Sequence, residues 1–352
     1  VMSLSLFFLV SGIQRRYKKT FEMLKREKKR PRRGWWYSLR YRAGEYCLRG
    51  FIAVFPYLSP RFLSRSTDFA GKLTFLLLGP YRRRMEQTLF SAIGAEVTDA
   101  AERKALLERA WRNFARGIYE TGSALNASKE EIRRMVVLEG EENLRKALAK
   151  GNGIIALSAH LGNFTMIGPR LAAGNYSFNA LVKQPADEGF ARLMDQLREK
   201  VGVKTISAKP RREAVQRVLA ALRKNEIVLM IADEFKSGKV EVEFLGRTAP
   251  APRGPITLAL RTGAAVVPMF VTRDPKDRLT LRIAPEIELV KTESLSEGVA
   301  ANTLAFSRYL EEMVRRYPEQ WSWLGFRENG WRRSSKPRRR AGKQHKAPEP
   351  LG

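Results

Sequence analysis

The chain has 352 residues, 44% of them hydrophobic, and a formal net charge of +29. That much apolar material excludes disorder throughout and supports one large packed domain or two smaller ones. The single cysteine, Cys47, excludes an intramolecular disulfide and a cysteine-rich zinc site; it suits a reducing compartment and reads as a small buried hydrophobe rather than a nucleophile.

The chain begins with an apolar run, residues 1–13, shorter than the ~20 residues that span a bilayer and without the flanks of a signal peptide. Residues 15–33 then carry 11 basic and 2 acidic side chains, and residues 332–346 carry 8 basic and none acidic. The ends therefore hold +9 and +8, which is 17 of the 29 net charges. Polybasic ends of this kind suit an anionic membrane surface; nucleic acid is the competing partner and is not expected.

From Trp35 to Leu78 apolar residues are dense, but Arg40, Arg42, Glu45, Arg49, Arg61, Arg65, Asp68 and Lys72 interrupt them too often for a spanning helix. Aromatic side chains beside arginines fit helices lying at a membrane interface, and a helical layer packed on the protein's own core fits the same pattern. Helical periodicity runs from Glu102 to Leu125, and Ser128 to Glu131 is a capping-box pattern. Another helix is expected from Glu142 to Lys150, closed by Gly151.

Beyond Gly151 the pattern alternates. Residues 154–158, 180–182, 227–232, 265–271 and 279–283 read as strands, several continuously apolar and so buried on both faces. Residues 187–200, 211–225 and 255–262 read as the intervening helices, and 299–317 as a last long one. This predicts an α/β fold, a mostly parallel central sheet flanked by helices and preceded by an amphipathic helical membrane-surface region. The organisation expected is an apolar start and basic extension over 1–34, one domain over 35–330 and a basic disordered tail over 331–352.

Only two histidines occur, and His345 lies in the basic tail, so any imidazole chemistry falls to His160. It directly follows the strand 154–158, and Asp233-Glu234 directly follows the strand 227–232. Ligands of α/β sheets bind outside the carboxyl ends of the strands. No metal-ligand spacing is present.

The stretch His160-Leu-Gly-Asn163-Phe resembles the bacterial lipid A late acyltransferase family, the lauroyl and myristoyl transferases. The resemblance continues through Ala232-Asp233-Glu234, Val242-Glu-Phe-Leu-Gly-Arg247, Pro252-Arg-Gly-Pro255, residues 259–268 and Tyr317-Pro-Glu-Gln-Trp-Ser-Trp323, covering residues 35–330. It implies transfer of a fatty acyl group from an acyl thioester, on acyl carrier protein or coenzyme A, to a hydroxyl of a lipid A precursor or related glycolipid. The thioester is a co-substrate, and no resident cofactor is implied. The setting implied is the cytoplasmic face of the inner membrane, peripheral or monotopic, beside anionic lipids.

In this reading His160 is the general base, since an alcohol must lose its proton as it attacks. Backbone N–H groups near Gly162, or a cation, would receive the oxyanion. The resemblance gives weight to Arg198 and sets Gly162, Asn163, Thr165, Lys183 and Arg253 about the substrate. Two departures stand out. The family carries an acid five residues after its histidine, where this chain has Thr165, and replacing the acid of a comparable triad costs about 10⁴ in rate. The expectation is that Asp233 or Glu234 supplies the carboxylate; a slow enzyme relying on Thr165 and a non-catalytic lipid-binding relative are the alternatives. The loop Lys183-Gln-Pro-Ala-Asp187 also differs from the family's, which leaves another membrane lipid open as acceptor.

Overall fold

The computed structural model describes residues 35–54, 69, 71–94, 96–235, 240–323 and 332–333. The apolar run, the basic extension, most of the basic tail and the side chain of Cys47 lie outside the described residues.

Numbered in chain order, the helices before the sheet are α1 (Trp35–Val54), α2 (Gly79–Ile93), α3 (Ala100–Ala124) and α4 (Lys129–Met135). The capping box forms as its residues require: the Glu131 N–H donates to Ser128 Oγ at 3.2 Å, and the Ser128 N–H to Glu131 Oε2 at 2.7 Å. There follow β1 (Val136–Glu139), α5 (Glu141–Leu148), β2 (Ile154–Ser158), α6 (Ile167–Ala173), β3 (Phe178–Val182), α7 (Glu188–Lys200), β4 (Val203–Ser207), α8 (Arg211–Arg223) and β5 (Ile227–Ile231). The chain continues with β6 (Val240–Phe244), β7 (Arg247–Ala251), α9 (Gly254–Thr262), β8 (Ala265–Arg273), β9 (Leu279–Ile283), α10 (Leu295–Arg316) and β10 (Arg332–Arg333).

Seven strands form one sheet in the order β1-β9-β8-β2-β5-β3-β4. Five of its six neighbouring pairs are parallel and only β8 with β9 is antiparallel. The mostly parallel α/β fold expected from the alternation is therefore present. A second, antiparallel sheet runs β10-β7-β6.

The continuous apolar strands are buried on both faces because helices cover both. On β2, Ile155 and Leu157 face a cluster with Met85 and Leu89 of α2, Trp111 of α3 and Leu310 of α10, whereas Ile154 and Ala156 face Ile132 of α4, Leu144 of α5 and Leu171 of α6. Five elements escaped the sequence pattern besides α2 and α6: β1, β4, the β6–β7 hairpin and the short β10. β1 and β4 are edge strands whose exposed faces carry Val137, Glu139 and Lys204, so neither shows the fully apolar run that marks β2 or β8.

The amphipathic start is buried in part and exposed in part. Tyr41 and Leu48 of α1 are buried against Phe190, Leu193 and Met194 of α7, as a helix on the protein's own core. Tyr46, Val54, Phe69, Leu73, Leu76 and Leu77 are exposed, and they are six of the nine exposed large hydrophobic side chains among the described residues. No helix among the described residues is long and apolar enough to cross a membrane.

Candidate active site

Strands β2 and β5 pair in parallel, with Ser158 opposite Ile231. Residues just past both ends are thus brought level, and the ladder continues one step as the Ala232 N–H donates to the Ser158 carbonyl at 2.9 Å. The outcome is a close pair: His160 Nδ1 lies 2.8 Å from Asp233 Oδ1. The other oxygen, Oδ2, accepts the His160 backbone N–H at 2.8 Å and the Trp321 indole N–H at 2.9 Å. Asp233 is 6% exposed, so these donors replace the water it has lost.

Asp233 accepts at Nδ1, so the neutral imidazole carries its proton there and its lone pair on Nε2. The edge of the Phe164 ring fixes the imidazole from the side, with centroids 4.9 Å apart. Burial alone would push the imidazole down, but the charge of Asp233, its hydrogen bond and the charge of Glu234 hold it above 6.5. Burial would likewise raise the Asp233 carboxyl; the charge and hydrogen bonds of His160 and the Trp321 N–H hold it below 3.8.

The turn after His160 is built by distant backbone. The Ser322 N–H donates to the His160 carbonyl at 2.8 Å, the Gly162 N–H to the Gln320 carbonyl at 2.7 Å and the Asn163 N–H to the Val271 carbonyl at 3.0 Å. Gly162 is at φ +58°, and a Cβ there would run into the Val271 carbonyl oxygen, so only glycine fits. These bonds narrow which of the backbone N–H groups near Gly162 are open to an oxyanion. Those of Gly162 and Asn163 are already donated inside the fold.

His160, Gly162 and Asn163 share the wall of a cavity of about 50 Å³ with Met85, Phe114, Phe164, Arg273 and Trp321. That volume admits reacting atoms or a few waters and not a whole acyl chain. Thr165 does not touch His160; its hydroxyl donates to Asn163 Oδ1 at 2.6 Å and lies 2.7 Å from the Thr121 hydroxyl.

The remaining residues singled out in the sequence lie off the cavity wall. Arg198 is held by Asp195 at 2.9 Å, and burial pushes its guanidinium down. Lys183, Glu234 and Arg253 are exposed. Four residues with no assigned role do reach the site: Trp321 on Asp233, and Glu120, Arg273 and Gln320 beneath the turn. Gln320 and Trp321 both stand in the segment Tyr317-Pro-Glu-Gln-Trp-Ser-Trp323 that carries the resemblance, the one signal that pointed to them. Among the described residues no three His, Cys, Asp or Glu side chains converge as a metal cage.

Comparison with known proteins gives the family. Residues 37–328 match the family described as bacterial lipid A biosynthesis acyltransferase. The phosphatidylinositol mannoside acyltransferase of Mycobacterium tuberculosis is 27% identical over 190 residues, covering 53% of this chain and 58% of the relative. Its counterpart in Mycolicibacterium smegmatis is 28% identical over 186 residues, 52% of this chain and 59% of the relative. The lipid A biosynthesis palmitoleoyltransferase of Escherichia coli is 22% identical over 229 residues, 64% of this chain and 72% of the relative. The match thus spans little more than half the length of the mycobacterial relatives.

Proposed function

Because the chain belongs to the bacterial lipid A biosynthesis acyltransferase family, we propose that it transfers a fatty acyl chain from an acyl thioester to a sugar hydroxyl of a membrane glycolipid. The observation that carries this reading is the His160–Asp233 pair, 2.8 Å apart at two adjacent parallel strand ends. Nε2 of His160 takes the hydroxyl proton as the alcohol oxygen attacks the thioester carbonyl carbon. Asp233 holds the required tautomer and stabilises the imidazolium that forms. The tetrahedral intermediate then collapses, the C–S bond breaks, and the thiolate leaves with the proton held on Nε2. Since the Gly162 and Asn163 N–H groups are engaged, the oxyanion is received further along, where the Phe164 and Thr165 N–H groups have no acceptor among the described residues.

No resident cofactor enters this chemistry; the thioester, on acyl carrier protein or coenzyme A, is a co-substrate. For the acceptor, a lipid A precursor and a mannosylated phosphoinositide share the same chemistry, a sugar hydroxyl on an anionic lipid, and relatives named for both occur. The non-catalytic alternative rested on Thr165, and Asp233 removes that motive by supplying a carboxylate to the imidazole. Arg198, Lys183 and Arg253 then act on the acceptor or donor outside the cavity, and Glu234 adds its charge to that of Asp233 beside His160. The site of action is a membrane surface, the cytoplasmic face of the inner membrane in this reading. Leu76 and Leu77, each 70% exposed, enter it while Lys72 and Arg83 face anionic headgroups.

The test is transfer by the purified full chain from a radiolabelled acyl thioester, with a lipid A precursor in one arm and a glycosylated phospholipid in another. His160-dependent transfer in either arm is expected, and the arm that responds names the acceptor. Equal transfer by His160→Ala sinks the reading.

A further inference from the structure

Under the His160 turn lies a closed ring of polar contacts that the proposed acyl transfer does not use. Asn163 Nδ2 donates to Glu120 Oε2 at 2.9 Å, and Glu120 Oε1 lies 2.5 Å from Arg273 Nη2. The Arg273 backbone N–H donates to Gln320 Oε1 at 2.8 Å, and Gln320 Nε2 donates back to the Arg273 carbonyl at 2.7 Å. The ring closes where the Gly162 N–H donates to the Gln320 carbonyl. Into it feeds a directed chain: the Thr165 hydroxyl donates to Asn163 Oδ1, whose amide protons pass the bond on to Glu120. Glu120, Asn163 and Gln320 are 9%, 3% and 8% exposed, so bulk water competes little for these bonds.

We infer that Glu120 is the positioning carboxylate of the His160 turn, reaching from α3 to hold Asn163 and, through it, the segment that carries the imidazole and Phe164. This rests on His160 as the base. Glu120 touches neither the imidazole nor the reacting atoms. Its effect is on where they stand: Asn163 is three residues from His160, and Phe164, next in the chain, is the ring that fixes the imidazole from the side. The hydroxyl of Thr165 ends in the same cluster, so a carboxylate stands near residue 165, delivered from another helix, while Asp233 serves the imidazole itself. A glutamate at 165, with a longer side chain than threonine, brings its carboxylate to the region Glu120 now fills.

Three full-length variants and a spectrum test this. Glu120→Asp keeps the charge opposite Arg273 but shortens the reach to Asn163. It is expected to lower kcat about 10²-fold, the cost of a misplacement of about 1 Å, with KM within about twofold because no substrate contact is removed. Glu120→Gln combined with Thr165→Glu restores a carboxylate to the cluster and is expected to regain most of the lost kcat. If Glu120→Gln alone does not fold, the double variant decides: folded and active supports the inference, folded and inactive overturns it.

The chain has two histidines, so ¹⁵N-histidine labelling gives two imidazole spectra. In Glu120→Asp the His160 signals should broaden or shift their titration, and those of His345 should not. Unchanged His160 signals with wild-type kcat overturn the inference. The spectrum needs no substrate, which separates two failures. A wild type inactive in both acceptor arms defeats the acyltransferase reading and still leaves Glu120 testable by its effect on His160.

Discussion

Asp233→Asn is the sharpest perturbation of the pair, because the geometry dictates which way the new amide must turn. Oδ2 of Asp233 faces two groups that can only donate, the His160 backbone N–H and the Trp321 indole N–H. An asparagine therefore keeps its oxygen on that side and turns its NH₂ toward His160 Nδ1. Nδ1 must then accept, the ring proton moves to Nε2, and the atom that should take the hydroxyl proton already carries one. The imidazolium also loses its counter-charge. The comparable change in a Ser-His-Asp triad costs about 10⁴ in kcat, or about 5.5 kcal/mol of barrier, while packing is nearly unchanged. The assay is thiol release from the acyl thioester in the presence of the responding acceptor, followed against pH, with the His160 tautomer read by ¹⁵N. An Asp233→Asn enzyme within tenfold of wild type, or one whose proton stays on Nδ1, refutes the assignment.

Other outcomes follow from the same contacts. The His160 value is held above 6.5, and only the neutral ring is a base, so the rate should climb through a pH above 6.5 and the limb should move down in Asp233→Asn. A raised histidine stabilises the fold below 6.5 and loses that contribution as pH rises through its folded value; a lowered carboxyl stabilises above 3.8 and loses it as pH falls. The difference in Tm between wild type and Asp233→Asn should therefore be largest between those two values, and a pH-independent difference would contradict the linkage. Trp321→Phe keeps ring contact with Phe244 and Trp323 but deletes one donor to the Asp233 carboxylate, and should cost about 1.5–3 kcal/mol in urea unfolding. Thr165→Glu alone should lower activity, since it adds a second carboxylate to the cluster of Asn163 and Glu120; a gain would mean that the motif acid is the missing part. Leu76→Asp with Leu77→Asp removes two side chains, each worth about 1.5–3 kcal/mol when buried in lipid. Binding to anionic vesicles should fall at least about 10²-fold, and unchanged binding excludes that face.

Where the sequence was legible, the reason was the strand end. A continuously apolar run such as Ile154–Ser158 is recognisable without its neighbours, and the residue that follows it must sit on the carboxyl edge of the sheet. Parallel pairing then makes two such edges coincide, which is why His160 and Asp233 were both within reach of the pattern. The supporting residues have no such local mark. Trp321 meets Asp233 across 88 positions, Gln320 meets Arg273 across 47 and Asn163 meets Glu120 across 43, so each pairing depends on a topology that periodicity does not encode. Conversely, Lys183 and Arg253 drew notice through loop and motif position, and solvent holds them.

The contrast between Glu120 and those exposed charges has a physical root. A charge on a cavity wall must be paired, because an unpaired one loses several kcal/mol of hydration; Arg273 stands opposite Glu120 for that reason, and its cost is what keeps the cluster in one arrangement. A trace of this was present in the helix itself. Ala110, Gly117, Glu120 and Ala124 fall on one buried stripe of α3, and a carboxylate among small residues on such a stripe has no room to reach water. On a buried stripe the charge implies a partner, and the small neighbours imply that the partner comes close. For α3 those partners are Arg273 and the turn carrying His160, which makes the helix, and not only the sheet edge, part of the site.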